Sequence, residues 1–122
     1  MNEHGRYAFY GTLRPGMELH PVYKAGMKHL GKALLEGYRL YSLGEYPYAV
    51  PSAAGAIVVD LYQLEPDCAR DIHDMEIDAG YYYDEIIIDG LAFGIYLFDR
   101  PGIEDTEIRS GDWARHVAEI GF

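Results

Sequence analysis

Apolar positions along the chain change period several times, and each change marks an element. Tyr7-Ala8-Phe9-Tyr10 is a short apolar run that stops at Gly11, which predicts a buried strand. Arg14-Pro15-Gly16 is a turn. Between Glu18 and Leu30 the residues Leu19, Val22, Tyr23, Met27 and Leu30 recur at helical spacing, with Pro21 in the first turn and Gly31 as the stop. Lys32 to Tyr41, carrying Leu34, Tyr38 and Leu40, predicts a strand that runs into the loop Gly44-Glu45-Tyr46-Pro47. Gly55 to Leu64 is rich in β-branched and apolar residues and reads as a central strand. Pro66 opens a helix to about Ile77, at the position where the missing N–H costs least. Tyr81 to Ile88 and Leu91 to Phe98 flank Asp89-Gly90, the dipeptide suited to a two-residue type I′ hairpin. Arg100-Pro101-Gly102 breaks the sheet, and a last helix from about Asp112 to Glu119 is anchored by Trp113 and Val117. The order β-α-β-β-α-β-β-α predicts an α+β fold, a small mixed and barrel-like sheet with flanking helices.

Composition narrows the function. With 122 residues the chain fits one compact domain, 1–122, large enough for a core without disulfides. Cys68 is the only cysteine, which removes disulfide frameworks, CxxC redox chemistry and zinc knuckles. A formal net charge of −10 argues against nucleic acid, whose phosphates need clustered Lys and Arg. No run approaches the ~20 apolar residues of a membrane span, and Met1-Asn2-Glu3-His4 lacks the features of a signal peptide. The expectation is a cytoplasmic protein without membrane association. The 12 tyrosines suit cores, pocket walls and interfaces alike, so a tyrosine-rich interaction protein stays open as one alternative.

The helix at Pro66 to Ile77 carries the first chemical signal. At ~100° per residue, Cys68, Ile72 and Met75 fall within roughly 60° of one another, and Glu76 lies between Ile72 and Ala69, inside the apolar stripe. Asp67, Asp71 and Asp74 group with Arg70 on the far side. Cys68 on the inward stripe reads as core rather than nucleophile. An inward carboxylate has its pKa raised by burial, which makes a general base near neutral pH; the alternative is a glutamate near the helix end that snorkels or pairs with a cation. His73 borders the same stripe and suits either the site or simple packing. Asp71, His73, Asp74, Glu76 and Asp78 point in diverging directions, so no metal site is expected.

The second signal is Tyr10-Gly11-Thr12-Leu13 at a strand end. Glycine permits a sharp turn and close approach of a ligand to the backbone, and successive N–H groups there can form a concavity for a carboxylate or an oxyanion. The spacing matches neither GxGxxG nor a Walker A loop, so nucleotide binding has no support.

Taken in order, Phe9-Tyr10-Gly11-Thr12-Leu13-Arg14, Gly37-Tyr38-Arg39-Leu40-Tyr41 with Tyr46-Pro47, Asp60-Leu61-Tyr62, Met75-Glu76, Tyr83 and Ser110-Gly111-Asp112-Trp113 resemble the γ-glutamylcyclotransferase-like, or AIG2-like, family across most of the chain. The resemblance implies a small mixed barrel whose cavity is lined by the Tyr10-to-Leu13 loop and the family glutamate, aligned with Glu76. It implies an acyl-transfer reaction in which a γ-glutamyl amide closes on its own α-amine, releasing 5-oxoproline and an amine or amino acid. Glu76 would move the proton, the loop amides would hold substrate, and Tyr83 would donate a hydrogen bond in the cavity. The implied partner is a small-molecule γ-glutamyl substrate, with no metal and no organic cofactor, and a homodimer is compatible with the family. The chain departs from the family pattern at His73 and Ile77, where Asp and Gly are common, and at Val59-Asp60, where Gly-Glu is common. Asp84 and Glu85 also follow Tyr83 where an arginine is frequent. These departures motivate the alternative of a non-catalytic ligand-binding or interaction module on the same fold.

Overall fold

The computed structural model describes residues 3–102 and 105–120; Met1 and Asn2, used in reading the N-terminus, lie outside the described residues. Strand β1 (Arg6–Phe9) is followed by a single helical turn α1 (His20–Tyr23), a 3₁₀ turn (Lys24–Gly26) and the long strands β2 (Met27–Ser42) and β3 (Pro47–Leu64). Helix α2 (Pro66–Asp78), the hairpin β4 (Tyr82–Ile88) and β5 (Leu91–Leu97), a short β6 (Thr106–Glu107) and helix α3 (Trp113–Ile120) complete the order. Six strands form one sheet in the order β4-β5-β1-β3-β2-β6. All pairings are antiparallel except β1 with β5. The result is the expected mixed, half-barrel sheet with helices against it.

Four-residue β1 sits in the middle because both of its edges are used: Phe9 registers with Asp60 of β3, and Tyr7 with Gly94 of β5. Its side chains alternate between two cores, as the two-residue strand period requires. Tyr7 and Phe9 pack with Ala69 and Ile72 of α2, while Ala8 and Tyr10 join Trp113 of α3. Both cores therefore converge on the strand whose end carries the Gly11 turn.

The predicted helix over Glu18–Leu30 is corrected. Only His20–Tyr23 is α-helical, with Pro21 in its first turn, and Met27–Leu30 belongs to β2. The physical reason is tertiary: Met27, Lys28 and His29 pair with Leu64, Gln63 and Tyr62, a ladder that helical spacing cannot reveal. Gly31 marks a bulge in that ladder rather than a helix stop. Strand β3 likewise begins at Pro47 instead of Gly55, because Tyr48, Ala49 and Val50 pair with Tyr41, Leu40 and Arg39. The Asp89-Gly90 turn takes the expected form, with φ of 52° and 80°. Among the described residues no helix is long and apolar enough to cross a membrane.

Candidate active site

The site begins where β1 ends. Tyr10 is buried, its hydroxyl donating to the Tyr96 carbonyl (2.6 Å) and accepting from the Ala49 amide (3.1 Å). The chain then turns, closed by the Arg14 amide on the Gly11 carbonyl at 3.1 Å and the Leu19 amide on the Thr12 carbonyl at 2.9 Å. Gly11 is fixed by contact: a Cβ there would lie 2.9 Å from Cγ of Pro47, the first residue of β3. Among the described residues the amides of Thr12 and Leu13 donate to no protein acceptor. Two adjacent donors are thus free to meet an anionic group.

Arg14 holds this turn in place. It is 2% exposed, and its Nε donates to Asp60 Oδ2 while Nη1 donates to Asp112 Oδ1, both at 2.7 Å. Asp60, also 2% exposed, meets His29 Nε2 through its other oxygen at 2.8 Å. Asp112 precedes α3 and accepts from the Arg115 amide at 3.3 Å, so the ion pair also caps that helix. Burial alone would lower the Arg14 pKa, but hydrogen bonds to Asp60 and Asp112 outweigh it and raise it. For Asp112, burial would raise the carboxyl, and the Arg14 hydrogen bond outweighs it and holds the carboxyl down. Three of the separated segments quoted above therefore meet at one guanidinium.

Helix α2 supplies Glu76. The helix ends in a Schellman motif, with the Tyr81 amide on the Glu76 carbonyl (3.0 Å) and the Gly80 amide on the Ile77 carbonyl (3.1 Å). Gly80 takes φ of 98°, a conformation that disfavours any side chain. This terminus fixes Glu76 relative to Tyr81, and both line one cavity of about 330 Å³ with Tyr10, Gly11, Thr12 and Leu13. The Glu76 residue is partly open toward the lumen, but protein surrounds its carboxyl closely enough that burial pushes its pKa up to about 7. No described residue donates a hydrogen bond to that carboxyl. Two of the wall hydroxyls are occupied: Tyr81 donates to the Pro47 carbonyl at 2.6 Å, and the Tyr96 hydroxyl shares a 2.8 Å hydrogen bond with His73 Nδ1. Burial, with Glu76 adding its charge, pushes the Tyr10, Tyr81 and Tyr96 hydroxyls well above the usual phenol range.

The structure thus brings Glu76 and the Tyr10-to-Leu13 turn together around one space. Tyr83 does not line it. Its hydroxyl donates to Glu85 at 2.7 Å, and its ring stands edge-on to Tyr96 at 5.5 Å. His73 supports Tyr96 from behind, and Ile77 is 44% exposed on the outer face of α2. Among the described residues no group of three or more His, Cys, Asp or Glu is placed to hold a metal. Sequence reasoning passed over the rim carboxylates Glu18 and Glu45 and the wall tyrosines Tyr46, Tyr81 and Tyr96. It also passed over the ionic anchor, although a lone aspartate in the apolar run Ile57 to Leu61 was a usable sign of a buried partner.

Comparison with known proteins follows the same outline. The family model described as "Gamma-glutamyl cyclotransferase, AIG2-like" matches residues 7–115. Protein PH0828 of Pyrococcus horikoshii, provisionally named a gamma-glutamylcyclotransferase, is 39% identical over 110 residues, spanning 88% of this chain and 90% of that one. Its crystal structure superposes with a TM-score of 0.82 at 33% identity, covering 94% of each chain. The gamma-glutamylcyclotransferase family protein YtfP of Escherichia coli strain K12 is 31% identical over 117 residues, 88% of this chain and 95% of that one.

Proposed function

This chain belongs to the gamma-glutamyl cyclotransferase, AIG2-like family, and on that premise we propose that it cyclises a γ-glutamyl amide to 5-oxoproline, with Glu76 as the proton carrier. The observation that carries this reading is the carboxyl of Glu76, unpaired and held near neutrality, facing the same cavity as two free amides.

The reaction is an internal acyl transfer. The substrate α-ammonium must first lose a proton, and a carboxylate with a pKa near that of the medium is matched to take it. The freed amine forms a bond to the γ-carbonyl carbon, five-membered ring closure supplying a high effective molarity. The negative charge on the carbonyl oxygen is then resolved by breaking the bond to the leaving nitrogen. Glu76, now protonated, gives its proton to that nitrogen as the bond breaks, then takes the second proton that the ring nitrogen carries after the attack and passes it to the departing amine, so the products are a neutral lactam and an ammonium and the enzyme is unchanged. The Gly11-Thr12-Leu13 backbone would hold the substrate carboxylate or the developing oxyanion. Tyr10, Tyr81 and Tyr96 remain protonated and spent on backbone or histidine partners, so they shape the wall and leave proton transfer to Glu76. Tyr83 acts through Tyr96, as a packing partner. This chemistry needs no Lewis acid and no redox group.

The test is mass-spectrometric detection of 5-oxoproline when the protein is incubated with γ-glutamyl amino acids and γ-glutamyl amines. Release from at least one of them is the expected result. No release from any overturns the enzymatic reading and favours a ligand-binding module on the same fold.

A further inference from the structure

The charges gathered behind the turn after β1 do not balance. Arg14 carries one positive charge, while its partners Asp60 and Asp112, each 2.7 Å from the guanidinium, carry two negative ones. The side chains of Arg14 and Asp60 are each 3% exposed, so solvent screens the excess little. Burial acts to raise the Asp112 carboxyl, but the Arg14 hydrogen bond outweighs it and keeps the group ionised. Arg14 directly follows Leu13, so a net negative charge sits behind the two unpartnered amides of the cavity wall. That charge opposes any anion held there. A compensating charge can come from His29 of β2, whose Nε2 lies 2.8 Å from the second oxygen of Asp60 and whose side chain is 44% exposed. Histidine is the side chain whose ordinary chemistry changes its charge between pH 5 and 8.

Resting on the cyclotransferase reading, we propose that His29 is a positioning residue, whose charge acts through Asp60 and Arg14 to set how tightly the cavity holds an anionic ligand. Protonated, His29 draws on the charge of Asp60 through a charge-assisted hydrogen bond and leaves more of the Arg14 charge to the turn. The cluster then balances at two charges of each sign. Neutral, His29 still donates to Asp60, and the excess negative charge returns. The other groups around His29 do not replace it. Tyr62 of β3 stands edge-on to its ring at 5.2 Å, and burial first, then Asp60, pushes the Tyr62 hydroxyl up, so it adds no charge. Lys32 registers with Asp60 and Lys28 precedes His29 in β2, yet neither forms an ion pair among the described residues. His20 of α1 lies 6.1 Å from the Tyr62 ring and donates to the Leu13 carbonyl at 2.9 Å, which makes it the rival source of a charge at the turn.

The test is the Kd of 5-oxoproline, an anion throughout the range used, measured by NMR titration at about pH 5.5 and about pH 8.5 on protein carrying Glu76→Gln, so that Glu76 itself does not titrate. Binding should be about fivefold tighter at the lower pH, a modest factor because His29 is half-exposed. Adding His29→Gln, which keeps a donor for Asp60 but cannot charge, should leave binding weak at both values. Adding His29→Lys, charged at both, should make it tight at both. The neutral ring 2-pyrrolidinone, which lacks the carboxylate, should bind independently of pH. A His29 with a merely structural role would change binding alike at both values, and that outcome overturns the proposal. So does a pH dependence that survives His29→Gln, which would move the charge to His20, or one that 2-pyrrolidinone shares. Failure of 5-oxoproline to bind at either value overturns it as well. The cyclotransferase reading stands or falls separately, on release of 5-oxoproline by the wild-type protein.

Discussion

Glu76 is costly to the fold in a way that can be measured. Its folded-state pKa lies near 7 rather than the ordinary 4.5, so between those values the native protein holds a proton that the unfolded chain has lost. Stability therefore falls as pH rises through that window, and the penalty is fully present above about pH 7. Glu76→Gln removes the charge at nearly constant shape. The variant should be more stable than wild type by about 3 kcal/mol near pH 8, with the difference largely gone near pH 4. Urea denaturation at both values checks this, and an unchanged difference across the range would show that the carboxyl is not desolvated. The inward placement of Glu76 was legible in the sequence because α2 is regular, and a regular helix turns spacing into direction. Tyr83 was not legible to the same degree. A strand period assigns a face, but which face meets the cavity depends on Tyr96 and His73, brought beside it from another strand and from α2.

Elements fixed by local chemistry were the readable ones. The β4–β5 hairpin follows from Asp89-Gly90, and α2 from Pro66 at its start, because both signals act within a few residues. The stretch from Met27 to Leu30 followed a distant partner instead, pairing with the end of β3 against its own helical spacing. Arg14 is the sharpest case, since its two carboxylate partners lie 46 and 98 residues away. That anchor ties the turn after β1 to β3 and to the start of α3, so it governs three elements together. Asp60→Ala would leave a buried guanidinium with one partner fewer and should cost about 3–5 kcal/mol in a urea melt. Arg70→Ala, breaking the exposed pair with Asp67, should change stability by less than about 1 kcal/mol. Similar losses from the two variants would contradict a structural role for the Arg14 network.

At the scale of the whole molecule, the mixed sheet explains how so short a chain forms a cavity of about 330 Å³. Two cores on opposite faces of β1 hold the strand rigid, and the Arg14 anchor ties the turn at its end to β3 and to the start of α3. Helix α2 packs against one face of β1, and Glu76 in its last turn lines the same cavity as Thr12 and Leu13, whose amides lack a protein acceptor. The overall fold class could be reasoned from element order. The cavity could not, because it is made by the convergence of β1, α2 and the loop before β3 rather than by any one of them.

The most direct test of the account is the rate of 5-oxoproline release by Glu76→Gln beside wild type, on the best γ-glutamyl amide found, with a urea melt confirming that the variant is folded. The account predicts that turnover falls by about 10²–10⁴-fold, the range that positioned acid–base catalysis supplies. A folded variant that retains full activity would contradict the assignment of Glu76 as proton carrier.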